Sequence, residues 1–423
     1  MIKNVSILTM RDQTEIIENG FIGIKDGKIA YFGAKKPEGY EDAYTIEGKN
    51  HVAMPPLVNA HTHSAMVLMR NYADDRELFD WLENAVFPVE GRMGEEDVYW
   101  ASMLAAYEMI KSGTACFADM YFSSRATAKA VVQSGLRANL NICVSGEVSD
   151  NPDTQDAVSF FEEYHNAENG RILVSFAPHA IYTCSAELLQ WCARMAAEGG
   201  ARLHTHVAET KKEYEDCIRE HGMTPVAYLN QLSVFDVPVI AAHSLYLNEN
   251  DLEIYHDKGV TAVYNPTSNC KLASGINTMD RFLKRGINVA LGTDGAASNN
   301  NLNLFEEMHM ASLLTKGVTL DPCAVPADTA LRLATINGAK ALGFEGVGTL
   351  ETGNPADLIL IDLDKPHLYP MHDLKSAIVY SAQGSDIDTM ICDGRILMEK
   401  YEVKTLDFEQ IKHHIHKSVD KLF

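Results

Sequence analysis

Met54-Pro55-Pro56-Leu57-Val58-Asn59-Ala60-His61-Thr62-His63 is the stretch on which the fold turns. It is an apolar run that ends in two histidines one residue apart. Successive side chains of a strand point to opposite faces, so His61 and His63 project to one side. Two imidazoles converging at a strand end begin a site for a first-row metal. Two histidines with no ligand are the plain alternative, and the rest of the chain has to decide between them.

Downstream, short apolar runs alternate with longer helical patterns. The runs are 57–61, 114–120, 138–144, 172–177, 202–207, 237–243, 260–265 and 288–292. Helical patterns lie between them, for example over 95–112, 185–198 and 302–316. Parallel neighbours need a crossover, so this alternation predicts an α/β fold with a parallel sheet. Eight such units over roughly 250–300 residues match a (β/α)8 TIM barrel. An open doubly wound sheet is the alternative. It would carry a glycine-rich phosphate loop after its first strand, and there this chain has His61-Thr62-His63.

Both ends of the chain read differently. Residues 1–52 look like short strands punctuated by Asn19-Gly20, Asp26-Gly27 and Glu47-Gly48, which are hairpin signals. The stretches 357–362, 376–380 and 389–394 repeat that texture, and 407–422 looks helical. The expected organisation is a small β-sandwich domain built from 1–54 and 346–423, the latter with a C-terminal helix. The barrel occupies 55–345.

With 423 residues, 46% of them hydrophobic, the chain can bury a large core. A net charge of -22 argues against a nucleic-acid backbone or an anionic membrane as partner. No run approaches the roughly 18 apolar residues of a transmembrane helix, and the first residues do not read as a secretory signal. Eight scattered cysteines without a Cys-x-x-Cys pair suit reduced thiols in a cytoplasmic protein. A small-molecule substrate is the expected partner, and a homo-oligomer is left open.

Barrel active sites lie at the C-terminal ends of the strands. Here those ends carry His61, His63, His179, His206, His243 and Asp294. A barrel core needs none of them, and buried polar groups are costly unless paired. His204 shares a face with His206, so spacing alone leaves open which of the two is a ligand.

Several pieces together resemble the amidohydrolase superfamily, and within it the 5-methylthioadenosine/S-adenosylhomocysteine deaminase family. They are the stretch from Pro55 to His63, Phe87-Pro88-Val89-Glu90 and His206-Val207-Ala208-Glu209. Asn265-Pro266-Thr267-Ser268-Asn269 and the stretch from Leu291 to Asn300 complete the set. The resemblance covers essentially the whole chain. It implies one divalent metal held by His61, His63, His206 and Asp294. Zinc is the first choice, and iron or manganese also suit the donors. A single metal is implied because 171–184 contains no lysine to bridge a second. The resemblance makes Glu209 the proton donor to the substrate ring, with His243 and Asp294 orienting the water and accepting its proton. Glu90 would hold the ribose hydroxyls, His179 would touch the substrate, and 81–87 would form a wall or lid. His204 becomes a supporting histidine.

The implied reaction is hydrolytic deamination of an adenine nucleoside to its inosine analogue. The same machinery acting on guanine, a pterin or a triazine is one rival, and a catalytically silent scaffold is another. One departure bears on the substrate. The family grips the carboxylate of S-adenosylhomocysteine with two arginines, and the matching places here are Ile142 and near Thr154. No lysine or arginine occurs over 139–170, and Asp150, Asp153 and Asp156 stand nearby. An uncharged 5′ end is therefore expected, unless Arg92 or Arg125 substitutes. Arg137 is read as structural.

Overall fold

The computed structural model describes residues 1–11, 15–149 and 151–423, so Asp150 of the acidic stretch lies outside the described residues. Eight parallel strands build the barrel. The first four are Leu57–Thr62, Thr114–Tyr121, Arg137–Val144, and Ile172–Val174 continued by Ala177–Pro178. The other four are Leu203–Val207, Val239–His243, Thr261–Tyr264 and Val289–Leu291. Strands one to four pair in order, as do five to eight.

Two seams join these halves. Between strands four and five, Phe176 pairs with Leu203, and the His204 and His206 amides donate to the carbonyls of Phe176 (2.9 Å) and His179 (3.0 Å). Between strands eight and one, the Asp294 amide donates to the His61 carbonyl at 3.0 Å, and the Thr293 amide to Asn59 Oδ1 at 3.0 Å. The barrel is thereby closed, and the doubly wound alternative falls. At the end away from the histidines, Ile336–Leu342 packs against strands one, two, six and eight and forms the floor.

A nine-stranded sheet gathers strands from both chain ends. Its period-two alternation separates two faces. Leu358 and Leu360 enter the sheet's own core with Ile2, Val5 and Ile29, while Ile359 and Ile361 join the barrel core. Lys28 bridges Pro355, so the sheet curls until its distant strands meet.

Three local expectations change. Glu47-Gly48 turns no hairpin, because Ile46–Glu47 and His51–Met54 both run parallel to the strand Ile2–Leu8. Asp26-Gly27 and Asp393-Gly394 do turn hairpins with positive φ, but Asn19-Gly20 lies inside the strand Ile16–Lys25. Gly20 leaves room there for Ile7 of the paired strand, whose Cδ1 stands 2.6 Å from where a Cβ would be and would have to shift. The stretch 376–380 is helical, within Leu374–Tyr380. Asp373 caps it by accepting from the Ser376 amide at 2.7 Å, and Ile378 and Val379 bury into the barrel core. A short apolar run fits either period, and the cap decides.

Candidate active site

At the C-terminal ends of the strands the backbone itself is unusual. Ala208, His243, Ser244 and Asp294 all take positive φ, of 49°, 70°, 53° and 62°. Left-handed backbone is costly for such residues and persists where surrounding structure enforces it. Here it turns polar side chains across the barrel mouth.

The metal candidates are brought together. The Nε2 atoms of His61 and His63 lie 3.3 and 3.2 Å from Asp294 Oδ1. His61, His63 and His206 form one tight cluster, and His61, His243 and Asp294 another. The far nitrogens are all anchored. His63 Nδ1 donates to the Met120 carbonyl at 2.6 Å, and His206 Nδ1 donates to the His179 carbonyl at 2.8 Å. A carbonyl can only accept, so in the neutral rings the Nε2 lone pairs face the cavity. His61 Nδ1 pairs with His204 Nε2 at 2.9 Å, which puts His204 behind the ligand ring.

These donors fit a cation. His61 Nε2 is buried with no hydrogen-bond partner, although a carboxylate oxygen stands beside it. Lone pairs facing a carboxylate repel unless positive charge lies between them. The electrostatics agree. Burial opposes a charge on His63, yet Asp294 outweighs it and raises the imidazole, so the carboxylate draws positive charge into this space, a proton or a metal ion that replaces it. Burial would raise Asp294, yet His61 and His63 hold it well below the usual carboxylate range. Imidazoles with a carboxylate are donors that suit a divalent metal ion, and either cluster could hold one. Ser268 and Ser298 donate to Asp294 Oδ2 at 2.7 and 3.1 Å, which leaves Oδ1 for the metal side.

Two further groups reach the same space. Burial, then the Asp294 and Glu213 carboxylates, raise Glu209 well above its ordinary value, which favours its protonated form. His243 Nε2 is 3.7 Å from Glu209 Oε2, and its Nδ1 receives the Asn269 side-chain amide at 2.8 Å. Burial pushes His243 down to about 3, so this ring is neutral.

A cavity of about 220 Å³ opens over this cluster. Trp81, Leu82 and Phe87 form one wall, so 81–87 lies where the sequence put it. Glu90, from the short helix Phe87–Glu90, lines the cavity with Tyr121; burial raises its carboxyl. His179 lines it too, with Nδ1 2.9 Å from Thr183 Oγ1. No lysine or arginine is among the lining residues. Ile142 is buried in strand three, Thr154 in the helix Pro152–Tyr164, and Arg92 is exposed. Arg125 is tied to Asp156 and Glu163.

Residues 52–397 match the amidohydrolase family. This chain belongs to that family. Relatives of this amidohydrolase match end to end. A 5-methylthioadenosine/S-adenosylhomocysteine deaminase of Thermoanaerobacter pseudethanolicus is 47% identical, covering 100% of this chain and 99% of its own. A 5'-deoxyadenosine deaminase of Methanosarcina mazei is 46% identical over 100% and 98%. An adenosine deaminase of Xanthomonas campestris with bound zinc superposes with a TM-score of 0.94 at 30% identity, over 100% of this chain and 98% of that one. An atrazine chlorohydrolase of Arthrobacter aurescens shares the fold, with a TM-score of 0.92 at 24% identity and 99% coverage of both chains.

Sequence reasoning passed over three groups of this amidohydrolase site. Asp119, at the end of strand two, accepts from the Ser64 amide at 2.6 Å beneath His63; burial pushes it up to about 6. Its place near the C-terminal end of Thr114–Tyr121 is the same signal that marks the histidines. Ser268 and Asn269 stood in a quoted motif without roles. Glu213 left no signal beyond its distance from Glu209.

Proposed function

We propose that this amidohydrolase is a zinc-dependent, cytoplasmic deaminase of adenine nucleosides whose 5′ end carries no negative charge. The observation that carries the reading is the buried carboxyl of Glu209, 3.7 Å from His243 Nε2 and opening on the same cavity as His63, His206 and Asp294, with His61 beside them. A divalent ion held there supplies a Lewis acid that makes water a nucleophile near neutral pH. The chain's own groups do the rest. Asp294, with Oδ2 fixed by two serines, accepts the proton of the attacking water. His243 orients that water through Nε2. Glu209 gives its proton to N1 of the adenine ring as oxygen adds at C6. A proton then passes to the amino group, ammonia leaves, and the inosine analogue remains. Glu90 takes the ribose hydroxyls and His179 contacts the substrate. The deaminase relatives support the reaction class, and the eight free thiols are in keeping with the cytoplasm.

The test is ammonia release from adenosine, guanine, a pterin and a triazine by zinc-loaded protein, beside Glu209→Gln. Adenosine should be the best of the four. The variant should retain its metal and lose roughly 10²–10⁴ in kcat, the usual worth of a positioned acid-base. A near-normal rate without Glu209 would remove it from the proton path.

A further inference from the structure

Glu213 is a buried carboxylate, 3% exposed, with no ion pair among the described residues. It sits in the first turn of the helix Lys211–His221, whose cap Thr210 accepts from the Glu213 amide at 3.1 Å. In an ordinary capping box the carboxylate would return only to the amide of the cap residue. Here it reaches further back. Oε1 accepts from the Ala208 amide at 2.9 Å, and Oε2 from the Glu209 amide at 2.7 Å. Ala208 is the residue with φ of 49°. The turn between the ligand His206 and Glu209 is therefore a strained one, clamped at both of its final amides by one side chain.

We propose that Glu213 is the positioning residue for Glu209: its two oxygens lock the left-handed turn that aims the Glu209 carboxyl into the cavity. This rests on the reading of Glu209 as the proton carrier. Both carboxylate oxygens are required. In Glu213→Gln one oxygen becomes an NH2 that faces a backbone N–H, so one of the two bonds is lost and replaced by repulsion. In Glu213→Asp the charge stays, but the side chain is one methylene too short. Neither variant touches a metal donor, and neither alters the groups that would hold the ribose.

The experiment measures kcat, KM, metal content and melting for Glu213→Gln, Glu213→Asp, Glu209→Gln and the Glu209→Gln/Glu213→Gln pair, with adenosine. A misplaced catalytic group costs about 10–100-fold, so each Glu213 variant should lose that much in kcat, keep its metal, and hold KM within about threefold. In the Glu209→Gln background, Glu213→Gln should change kcat by less than about twofold, because a residue that acts through another has nothing left to position. An equal loss in both backgrounds overturns the proposal, because Glu213 then supports the fold or the metal. An unchanged kcat in Glu213→Gln overturns it too. If Glu213→Gln does not fold, Glu213→Asp carries the same comparison. If Glu209→Gln alone is near-normal, it is the reading of Glu209 that fails.

Discussion

The histidines of the site show how a single hydrogen bond decides a residue's chemistry. His63 and His206 each give Nδ1–H to a carbonyl, and the freed Nε2 can then bind a metal. His61 has no such carbonyl and leans on His204 instead. Strand alternation put His204 and His206 on one face and could not rank them. The structure ranks them by depth: His204 stands behind His61, while His206 faces the cavity. Groups that hold a ligand ring are usually worth 10–100-fold in metal affinity. His204→Ala should therefore bind zinc roughly 10–100-fold more weakly with the fold intact. Competition against a chromogenic chelator measures it. Unchanged affinity would make His204 mere filling.

At the level of elements, the helix Leu304–Thr319 steadies two short helices of the barrel mouth, Pro266–Lys271 and Ala296–Asn299. Its buried Glu307 accepts from the Thr267 amide at 3.2 Å and from Asn299 Nδ2 at 2.7 Å. Burial pushes Glu307 up to about 7. A carboxyl raised above its unfolded value favours the folded state at low pH, and that share is lost as pH rises through the folded value. The shift corresponds to roughly 3 kcal/mol lost between about pH 4 and 7. Glu307→Gln should flatten the pH dependence of stability by that order. Urea melts of both proteins at pH 5 and pH 8 test it, and parallel pH curves would refute it. The cavity walls carry a second expectation at this scale. Among the described residues, Glu90, Glu209 and Asp294 line the site, and no lysine or arginine does. A substrate carboxylate would lack the charge-assisted bonds that each contribute about 1.5–3 kcal/mol. Adenosine and 5′-methylthioadenosine should exceed S-adenosylhomocysteine in kcat/KM by at least roughly tenfold, about 1.4 kcal/mol. S-adenosylhomocysteine ranking first by that margin would mean that a basic side chain reaches it.

Across the whole molecule, the barrel and the sheet of the chain ends are joined by buried charge. Arg137, at the start of barrel strand three, donates to Asp357 at 2.6 and 3.1 Å and to Asp393 at 2.8 Å. Its side chain is 4% exposed, and that of Asp357 is 2%. Removing one partner of such a pair leaves a buried charge uncompensated, at a cost of about 3–5 kcal/mol. Arg137→Ala should lose stability of that order in denaturant melts while the surviving folded fraction keeps its KM. A loss below about 1 kcal/mol would show that the junction rests on apolar packing instead.

How much the sequence disclosed depends on how far apart the partners lie. Periodicity is local, so the barrel strands, most helices and the strand-end histidines were legible within windows of a few residues. The motif from Met54 to His63 carried both the first strand and two candidate metal donors. The short apolar run 376–380 was not legible, because its cap Asp373 and the barrel core that buries it decide between strand and helix. Asn19-Gly20 reads as a turn until Ile7, distant in the chain, fills the space a side chain would need. The chemistry divides the same way. Residue types and spacing alone determined that this chain carries histidines and an aspartate at barrel-strand ends. Only the tertiary structure decided which nitrogens face the cavity and that burial raises Glu209. It also decided that Glu213 holds the turn, because hydrogen bonds and burial are properties of neighbours in space.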